Sequence, residues 1–557
     1  MNGALLAVIV IAAFLASYFS YAGILGKKVL RLDASRITPA HKFRDDIDFV
    51  PTNRFVLFGH HFASIAGAAP IVGPAIAVIY GWLPGLLWIV FGSIFLGAAH
   101  DFAALVVSLR HGGRSIGDLT KDIIGARARN LFLILIYFGL SIVLAVFALV
   151  IGVLFKEHPQ AVFPTFFLIA LAMVIGTLVY KTPIGLGPAT VAGVLVMGWS
   201  IWYGVYHPIG ADLETSQWIT ILMIYAFVAS ILPVWFLLQP RDYLNSFALY
   251  FGLGAMYLGL FIVRPEIVAP VIRIKPEGAP PIFPFLFILI ACGAISGFHS
   301  LVASGTTAKQ IDKETDSKFV GYGAMLAEGA LATMALIACT AGIGSAEAWQ
   351  ARYATWGAMN SLQNKLGAFV DGAGGFVSAL GFSLDFSKTL VVVIVVSFAM
   401  TTLDTCARML RFIVSEIGES AGITALKNRY IASAVAVLSG LALAKIPMGK
   451  VSTGMALWPV FGATNQILGA LALLTISVYL FKRQRPIAYS IIPMFFMLAI
   501  TISAMMINIK KYYESGNYFL LIVGSLILLL EIWLAFEAFI VFRESRTEEK
   551  AVMNSHF

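Results

Sequence analysis

The chain has 557 residues, of which 59% are apolar and only 12% charged, and its mean hydropathy is +0.88. A soluble domain carries about 25% charged residues, so a soluble fold is excluded, and apolar blocks recur from Leu5 to Phe542 with no polar domain between them. The net charge of +9 does not gather in one basic patch; most Lys and Arg fall between apolar blocks on alternate sides, the positive-inside pattern of a membrane protein, which argues against a nucleic-acid partner.

A spanning helix needs about 20 apolar residues. Windows of that kind predict an all-α, polytopic protein of about 15 helices in one transmembrane domain, 1–557. They lie near 3 to 25, 58 to 80, 84 to 110, 130 to 154, 161 to 180, 187 to 206, 217 to 238 and 243 to 263. The rest lie near 283 to 303, 319 to 344, 386 to 414, 428 to 446, 452 to 481, 486 to 508 and 517 to 542. Helix 1 is followed, not preceded, by basic residues (Lys27, Lys28, Arg31), the reverse of a signal peptide, so it is expected to stay. The charge pattern places the N-terminus outside and the C-terminus in the cytoplasm. Residues 26–57 then form a cytoplasmic connection with one or two short surface helices, and 345–385, with its glycines, reads as an extracytoplasmic loop or lid.

Helix 2 carries GHHFASIAGAAPIVGPAIA from Gly59, and helix 9 carries CGAISGFHSLVASGTTAKQ from Cys292. Gly67, Pro70, Gly73 and Pro74 in the first, and Gly293, Gly297 and Gly305 in the second, make both helices breakable. Breaks free backbone groups to meet a substrate or ion, and are tolerable only beside a cavity or other protein. The two helices run in opposite directions, as inverted repeats require. Close packing through small residues is the alternative.

Ionisable residues at bilayer depth mark pathways by default. Along the chain they are His60 and His61, His100 with Asp101, His299, Glu328, and Asp404 with Arg408. Asp404 and Arg408 are spaced to share one helix face and neutralise each other; Glu328 has no opposite charge in its own helix and is the first choice for a coupled proton. Thr401 and Thr402 offer hydroxyls to a sodium ion or bond their own backbone. Asn465 and Gln466 in helix 13 are substrate ligands or interhelical glue. Adjacent His60 and His61 point to different faces and no HExxH is present, so a metal site from these with His100, Asp101 and His299 is not expected. Cys292, Cys339 and Cys406 show no metal or redox spacing and read as small core residues.

Six stretches, among them LFGHHFASIAGAAPIVGPAIA from Leu57, CGAISGFHSLVASGTTAKQ from Cys292, GYGAMLAEGALA from Gly321, TTLDTCARMLRF from Thr401 and LWPVFGATNQ from Leu457, are similar to the carbon starvation protein (CstA) family of transporters. The resemblance implies a bacterial inner-membrane permease that imports peptides or pyruvate when carbon is scarce, driven by protons. It implies a five-plus-five inverted-repeat, leucine-transporter-like core in which helices 2 and 9 are the broken pair. Substrate is then expected at His61, Ser64, Gly67, Ala68, Gly297, His299, Ser300, Asn465 and Gln466, and the coupling ion, H+ or Na+, at Glu328, Asp404, Asp101, His100, Thr401 and Thr402. No cofactor or resident metal is expected; the partners are a small-molecule or peptide substrate and the lipid bilayer. Sodium-coupled uptake of a small amino acid or carboxylate is the alternative. A membrane sensor subunit lacks an extramembrane signalling domain, and an enzyme lacks a catalytic motif.

Overall fold

The computed structural model describes residues 1–557 except 47, 182–185, 234–235, 360, 447–452 and 555–557. No β-strand occurs among the described residues, only three isolated bridges. The principal helices are α1 (Gly3–Phe19), α2 (Arg54–Ala66), α3 (Ala69–Ala77), α4 (Trp82–Arg110), α5 (Ala126–Glu157), α6 (Val162–Lys181), α7 (Leu186–Tyr206), α8 (Thr215–Ile231) and α9 (Leu238–Val263). They continue as α10 (Ile282–Leu289), α11 (Gly297–Gly305), α12 (Ala324–Thr340), α13 (Leu362–Ser378), α14 (Leu384–Ser420), α15 (Arg429–Lys445), α16 (Thr453–Lys482), α17 (Ala488–Glu514) and α18 (Tyr518–Asn554).

By length and apolarity, 11 helices among the described residues can each cross a membrane, and 12 if the bent pair α2 and α3 is counted as one span. The expected fifteen windows all contain helix, but besides the bent pair at 58 to 80 three fall short of an unbroken span. Two, α8 and α15, are 17 residues each. The third, 283 to 303, divides into α10 and α11, of 8 and 9 residues.

The breaks arise where the small residues predicted them. Asn53 caps the start of α2, its side chain accepting from the Phe55 N–H at 2.9 Å. Gly67 ends that helix at φ +53°, ψ −155°, a conformation that residues with a Cβ rarely adopt. Pro70, within the first turn of α3, lacks an N–H that would go unpaired there in any case, and the chain bends by 45°. In the second break, residues 290–296 leave the helix between α10 and α11.

The apolar windows of α14 and α16 are 94% buried and that of α12 83%, whereas α1 and α7 are 39% buried and α18 24%. The first three form the interior and the last three face lipid. At about 1.5 Å per residue, the 37 residues of α14 extend about 55 Å, well beyond the hydrocarbon.

Residues 345–385 differ from the expected loop. Ala346–Tyr353 is a helix, and α13 buries Leu366, Phe369, Phe376 and Lys365. Its glycines are contact points: a Cβ on Gly372 would lie 2.2 Å from the Ala338 carbonyl of α12, and one on Gly374 2.8 Å from the Lys388 side chain of α14. The connection over 26–57 holds the short helix Pro39–Lys42, as expected, after a π-turn at Leu25–Leu30.

The tightest approach joins α9 to α13, where a Cβ on Gly259 would meet the Phe376 carbonyl oxygen at 1.8 Å. Gly259→Ala is therefore expected to destabilise the protein by about 1 to 3 kcal/mol, as overpacking does. Gly254→Ala in the same helix, with nothing within 4 Å, should not. Melting temperatures in detergent check this; equal melting of the two variants would contradict the docking.

Candidate functional site

Two buried polar networks flank the broken helices. The first is centred on Arg241, at the start of α9. Its guanidinium bonds the carboxylate of Asp404 on α14 and the Tyr225 hydroxyl of α8 (2.6 Å), and reaches Asp242 Oδ1 at 3.0 Å. Tyr225 also donates to Asp404 Oδ2 at 2.7 Å. On the other side of Asp242, Oδ2 lies 2.8 Å from His60 Nδ1 of α2, while Oδ1 accepts from Thr401 Oγ1 at 3.1 Å. Asn245 donates to the Thr401 hydroxyl at 3.3 Å. Arg241, Asp242, His60, Thr401 and Asp404 are all buried. The network holds two carboxylates and one guanidinium, so one proton on the His60 and Asp242 unit would neutralise it.

The expected pairing of Asp404 with Arg408 is not formed. Arg408 instead donates to the carbonyls of Ala229 (3.1 Å) and Leu232 at the end of α8, and Arg241 takes its place beside Asp404. The reason is reach from another helix: a side chain from α9 enters the interior beside Asp404, while Arg408, one turn along α14, meets the unpaired carbonyls of a helix end.

The second network joins α4, α11 and α12. Asp101 accepts from or shares a proton with two imidazoles, through Oδ1 to His100 Nδ1 (2.8 Å) and Oδ2 to His299 Nδ1 (2.9 Å). The far nitrogen of His299, Nε2, lies 3.1 Å from Glu328 Oε2. That contact has ion-pair distance without hydrogen-bond alignment, for His299 Nε2 and both Glu328 oxygens lack a hydrogen-bond partner among the described residues. Glu328 thus has a neighbour, His299, that its own helix did not reveal. His61 turns away from His60, its Nδ1 2.8 Å from Thr307 Oγ1, which agrees with the expectation that the adjacent histidines face different ways.

Between the networks lies the break at Gly67 and Ala68. A Cβ on Gly67 would sit 2.6 Å from the Phe147 ring of α5 and 2.8 Å from Thr402 Oγ1, and Thr402 donates to the Ser64 carbonyl at 3.2 Å. The Ser64 hydroxyl and His61 Nε2 are buried without a partner among the described residues.

Other expected substrate ligands are committed to structure. Asn465 holds the start of α11, its Oδ1 accepting from the Phe298 N–H (2.9 Å) and Ser296 Oγ (3.0 Å). Ser300 donates to the Gly297 carbonyl of its own helix at 2.7 Å, and Gln466 donates to the Phe287 carbonyl. A Cβ on Gly297 would lie 2.3 Å from both the Asn465 carbonyl oxygen and the Gly469 nitrogen. That glycine serves helix packing, the alternative weighed for helix 9, and no ligand space opens at its α-carbon.

Arg241, Asp242, Asn245, Tyr225 and Phe147 escaped the sequence reading. The signal for the first three was available: QPRDYLN over 239–245 puts two charges beside an apolar window, and they fall inside the helix because α9 starts at Leu238.

Two cavities lie along α5, one against its middle and one at its C-terminal end. One, of about 260 Å³, is lined by Leu140 of α5 with Arg114, Asp118, Lys309, Met409 and Glu416. The other, of about 400 Å³, is lined by Val153 and His158 with Arg352, Gln363, Asn364 and Asp371. From Leu140 to Val153 is about 20 Å along a helix, and Phe147, which packs against Gly67, stands midway between them. Burial pushes the Lys309 ammonium below its ordinary range, opposed by Asp48 and Glu416. A larger apolar groove lined by Leu87, Phe91, Phe287 and Phe496 faces outward and contains none of the polar groups.

If Arg241 is the counter-ion of Asp404, Arg241→Met leaves a buried carboxylate uncompensated and should destabilise the protein by about 3 to 5 kcal/mol. Arg241→Met combined with Asp404→Leu should recover much of the loss. Thermal melts of the single and double variants decide this, and additive losses would exclude the pairing.

The carbon starvation protein CstA family model matches residues 2–383 and 345–504. A peptide transporter CstA of Campylobacter jejuni is 35% identical over 92% of this chain and 81% of its own length. That of Escherichia coli K12 is 34% identical, over 90% and 81%. The pyruvate/proton symporter BtsT of Escherichia coli K12 is 33% identical, over 85% and 77%. Among solved structures, two variants of a manganese transporter from Eremococcus coleocola align with TM-scores of 0.53 and 0.51 at 12% identity, each over 90% of this chain and 99% of that one. Identity that low carries the fold alone, the leucine-transporter-like arrangement that the family resemblance implied. By the family match and by these relatives, the chain belongs to the carbon starvation protein (CstA) family.

Proposed function

We propose that this protein imports a small carboxylate-bearing metabolite, a peptide or pyruvate, by proton-coupled alternating access across the bacterial inner membrane. It is a transporter and not an enzyme: its relatives are named as transporters. The observation that carries the reading is the pair of cavities with charged linings along α5, one on each side of Phe147, which packs against the break at Gly67.

A carboxylate suits the break because α3 begins there at Ala69 and the positive end of a helix dipole favours anions, with Pro70 offering no N–H and the Ile71 and Val72 N–H groups taken by the Ala68 carbonyl at 3.1 and 3.0 Å. Ser64 Oγ and His61 Nε2 add polar atoms that have no other partner among the described residues. In the cavity at Leu140, Lys309 is the cation available to meet the carboxylate, since Arg114 pairs with Asp118 and Asp122. That cavity is cytoplasmic by the distribution of Lys and Arg, so cysteines introduced at 209–215 should react with impermeant reagent from outside and one near 484 only from inside. Reversed labelling at both sites overturns the orientation.

Coupling to protons is favoured over sodium by the first network. The Thr401 hydroxyl donates to Asp242 and to the Ser397 carbonyl, and Thr402 to Ser64. The Thr401 oxygen also accepts from Asn245 at 3.3 Å, so this hydroxyl is engaged as both donor and acceptor. The same network is one positive charge short of neutral, and a proton shared by His60 and Asp242 supplies it, with Asp404 held by Arg241. Glu328, Asp101 and His100 belong to the other cluster and carry no step in this reading.

In proteoliposomes an inward proton gradient is expected to drive accumulation of labelled pyruvate or dipeptide, and a sodium gradient to fail. His60→Gln should abolish that accumulation while sparing substrate exchange, which moves no net proton. Sodium-driven accumulation by the wild-type protein, or proton-driven accumulation by His60→Gln, would refute the coupling.

A further inference from the structure

Cys292, His299 and Glu328 each offer a ligand atom, all three within 4.8 Å of one another, and all three residues are fully buried. We propose that they bind a resident divalent transition-metal cation of the zinc class. The proposal goes beyond the transport reading and stands whatever the substrate is.

The orientation of His299 carries the argument. Its Nδ1 is held by Asp101 at 2.9 Å, which leaves Nε2 as the free donor, and a carboxylate behind the imidazole is the arrangement that fixes a metal-binding histidine. Nε2 and Glu328 Oε2 are 3.1 Å apart yet not aligned for a hydrogen bond. Two ligand atoms that approach without hydrogen bonding to each other, with the Cys292 sulfur within 4.8 Å of both, are available to share a cation. In tetrahedral zinc, bonds of about 2.0 Å to nitrogen or oxygen and about 2.3 Å to sulfur place the ligand atoms about 3.3 to 3.6 Å apart. The histidine and carboxylate are near that spacing, and the thiol reaches it by a small approach.

Charge and chemistry agree. Glu328 and Asp101 are two fully buried carboxylates; a dication bound by the Cys292 thiolate and the Glu328 carboxylate forms a neutral unit, with the thiol proton released on binding, and Asp101 stays outside it between the imidazoles of His100 and His299. Asn465 Nδ2 lies 3.8 Å from Cys292 Sγ and donates toward the sulfur. Thiolate, imidazole and carboxylate together suit zinc and its neighbours and disfavour magnesium and calcium. Neither Cys339 nor Cys406 belongs to such a group among the described residues.

The test uses the full-length protein in detergent, stripped with chelator and then given Zn2+ alone. Elemental analysis after dialysis should find about one zinc per chain, with affinity at least tenfold weaker in Cys292→Ser, His299→Gln and Glu328→Gln, and unchanged in Cys406→Ser. Asp101→Asn, which only positions the imidazole, should weaken binding by about 10-fold to 100-fold. With Co2+ in place of zinc, the wild-type protein and Cys406→Ser should show a thiolate-to-cobalt charge-transfer band that Cys292→Ser lacks. Absence of stoichiometric zinc or of that band in the wild-type protein overturns the site whether or not the variants fold, as does Cys292→Ser keeping both.

Discussion

Arg241 sits at the meeting point of four helices, 2% exposed, in a solvent that cannot compensate a charge. A guanidinium there is tolerable only because Asp404 and Asp242 approach it from α14 and from its own helix, and because Tyr225 fills a further position. Much of the interior follows from that demand. Satisfying Arg241 draws α8, α9 and α14 together, and the spare oxygens of Asp242 then fix His60 of α2 and Thr401 of α14. The break at Gly67 is placed against this scaffold, since Thr402, next to Thr401, ties the α2 backbone at Ser64.

Broken helices create the opposite problem, of too many unpaired backbone groups. The protein solves it differently at its two breaks. At the start of α11, a side chain from α16 substitutes: Asn465 accepts the Phe298 N–H and the Ser296 hydroxyl, and Gly297 lets α16 come close enough for that reach. At the start of α3, no side-chain cap is present, and unpartnered Ser64 Oγ and His61 Nε2 lie on the preceding helix. The break already closed by protein is structural, and the one left open is where a ligand has something to gain.

The membrane class, the positions of both breaks and the His100 and Asp101 pair were legible in the residues, because each depends on local chemistry: apolar length, Gly and Pro in a helix, neighbouring charges. Partners contributed by distant helices were not legible. Arg241 displacing Arg408 from Asp404, and His299 meeting Glu328, join residues more than twenty positions apart, and one sequence holds no register between helices. Residues 345–385 misled for a related reason. Gly372 and Gly374 signal a loop when read alone, yet they are the positions at which α13 presses on the Ala338 carbonyl and on Lys388, and only the neighbour's position distinguishes the two meanings.

The adjacent histidines of α2 connect the parts. His60 bonds to α9 through Asp242, while His61 bonds to Thr307, just past the end of α11. A rocking of α2 that shortens one contact therefore strains the other, because consecutive residues on a helix point about 100° apart and move as one body. Phe147 rests on the Gly67 turn at the end of that same helix. On the proposed reading, any displacement of α2 that alters the His60 and Asp242 pair also shifts the Gly67 turn against Phe147, and a coupling site and the break placed on one thirteen-residue helix would need no longer wire between them.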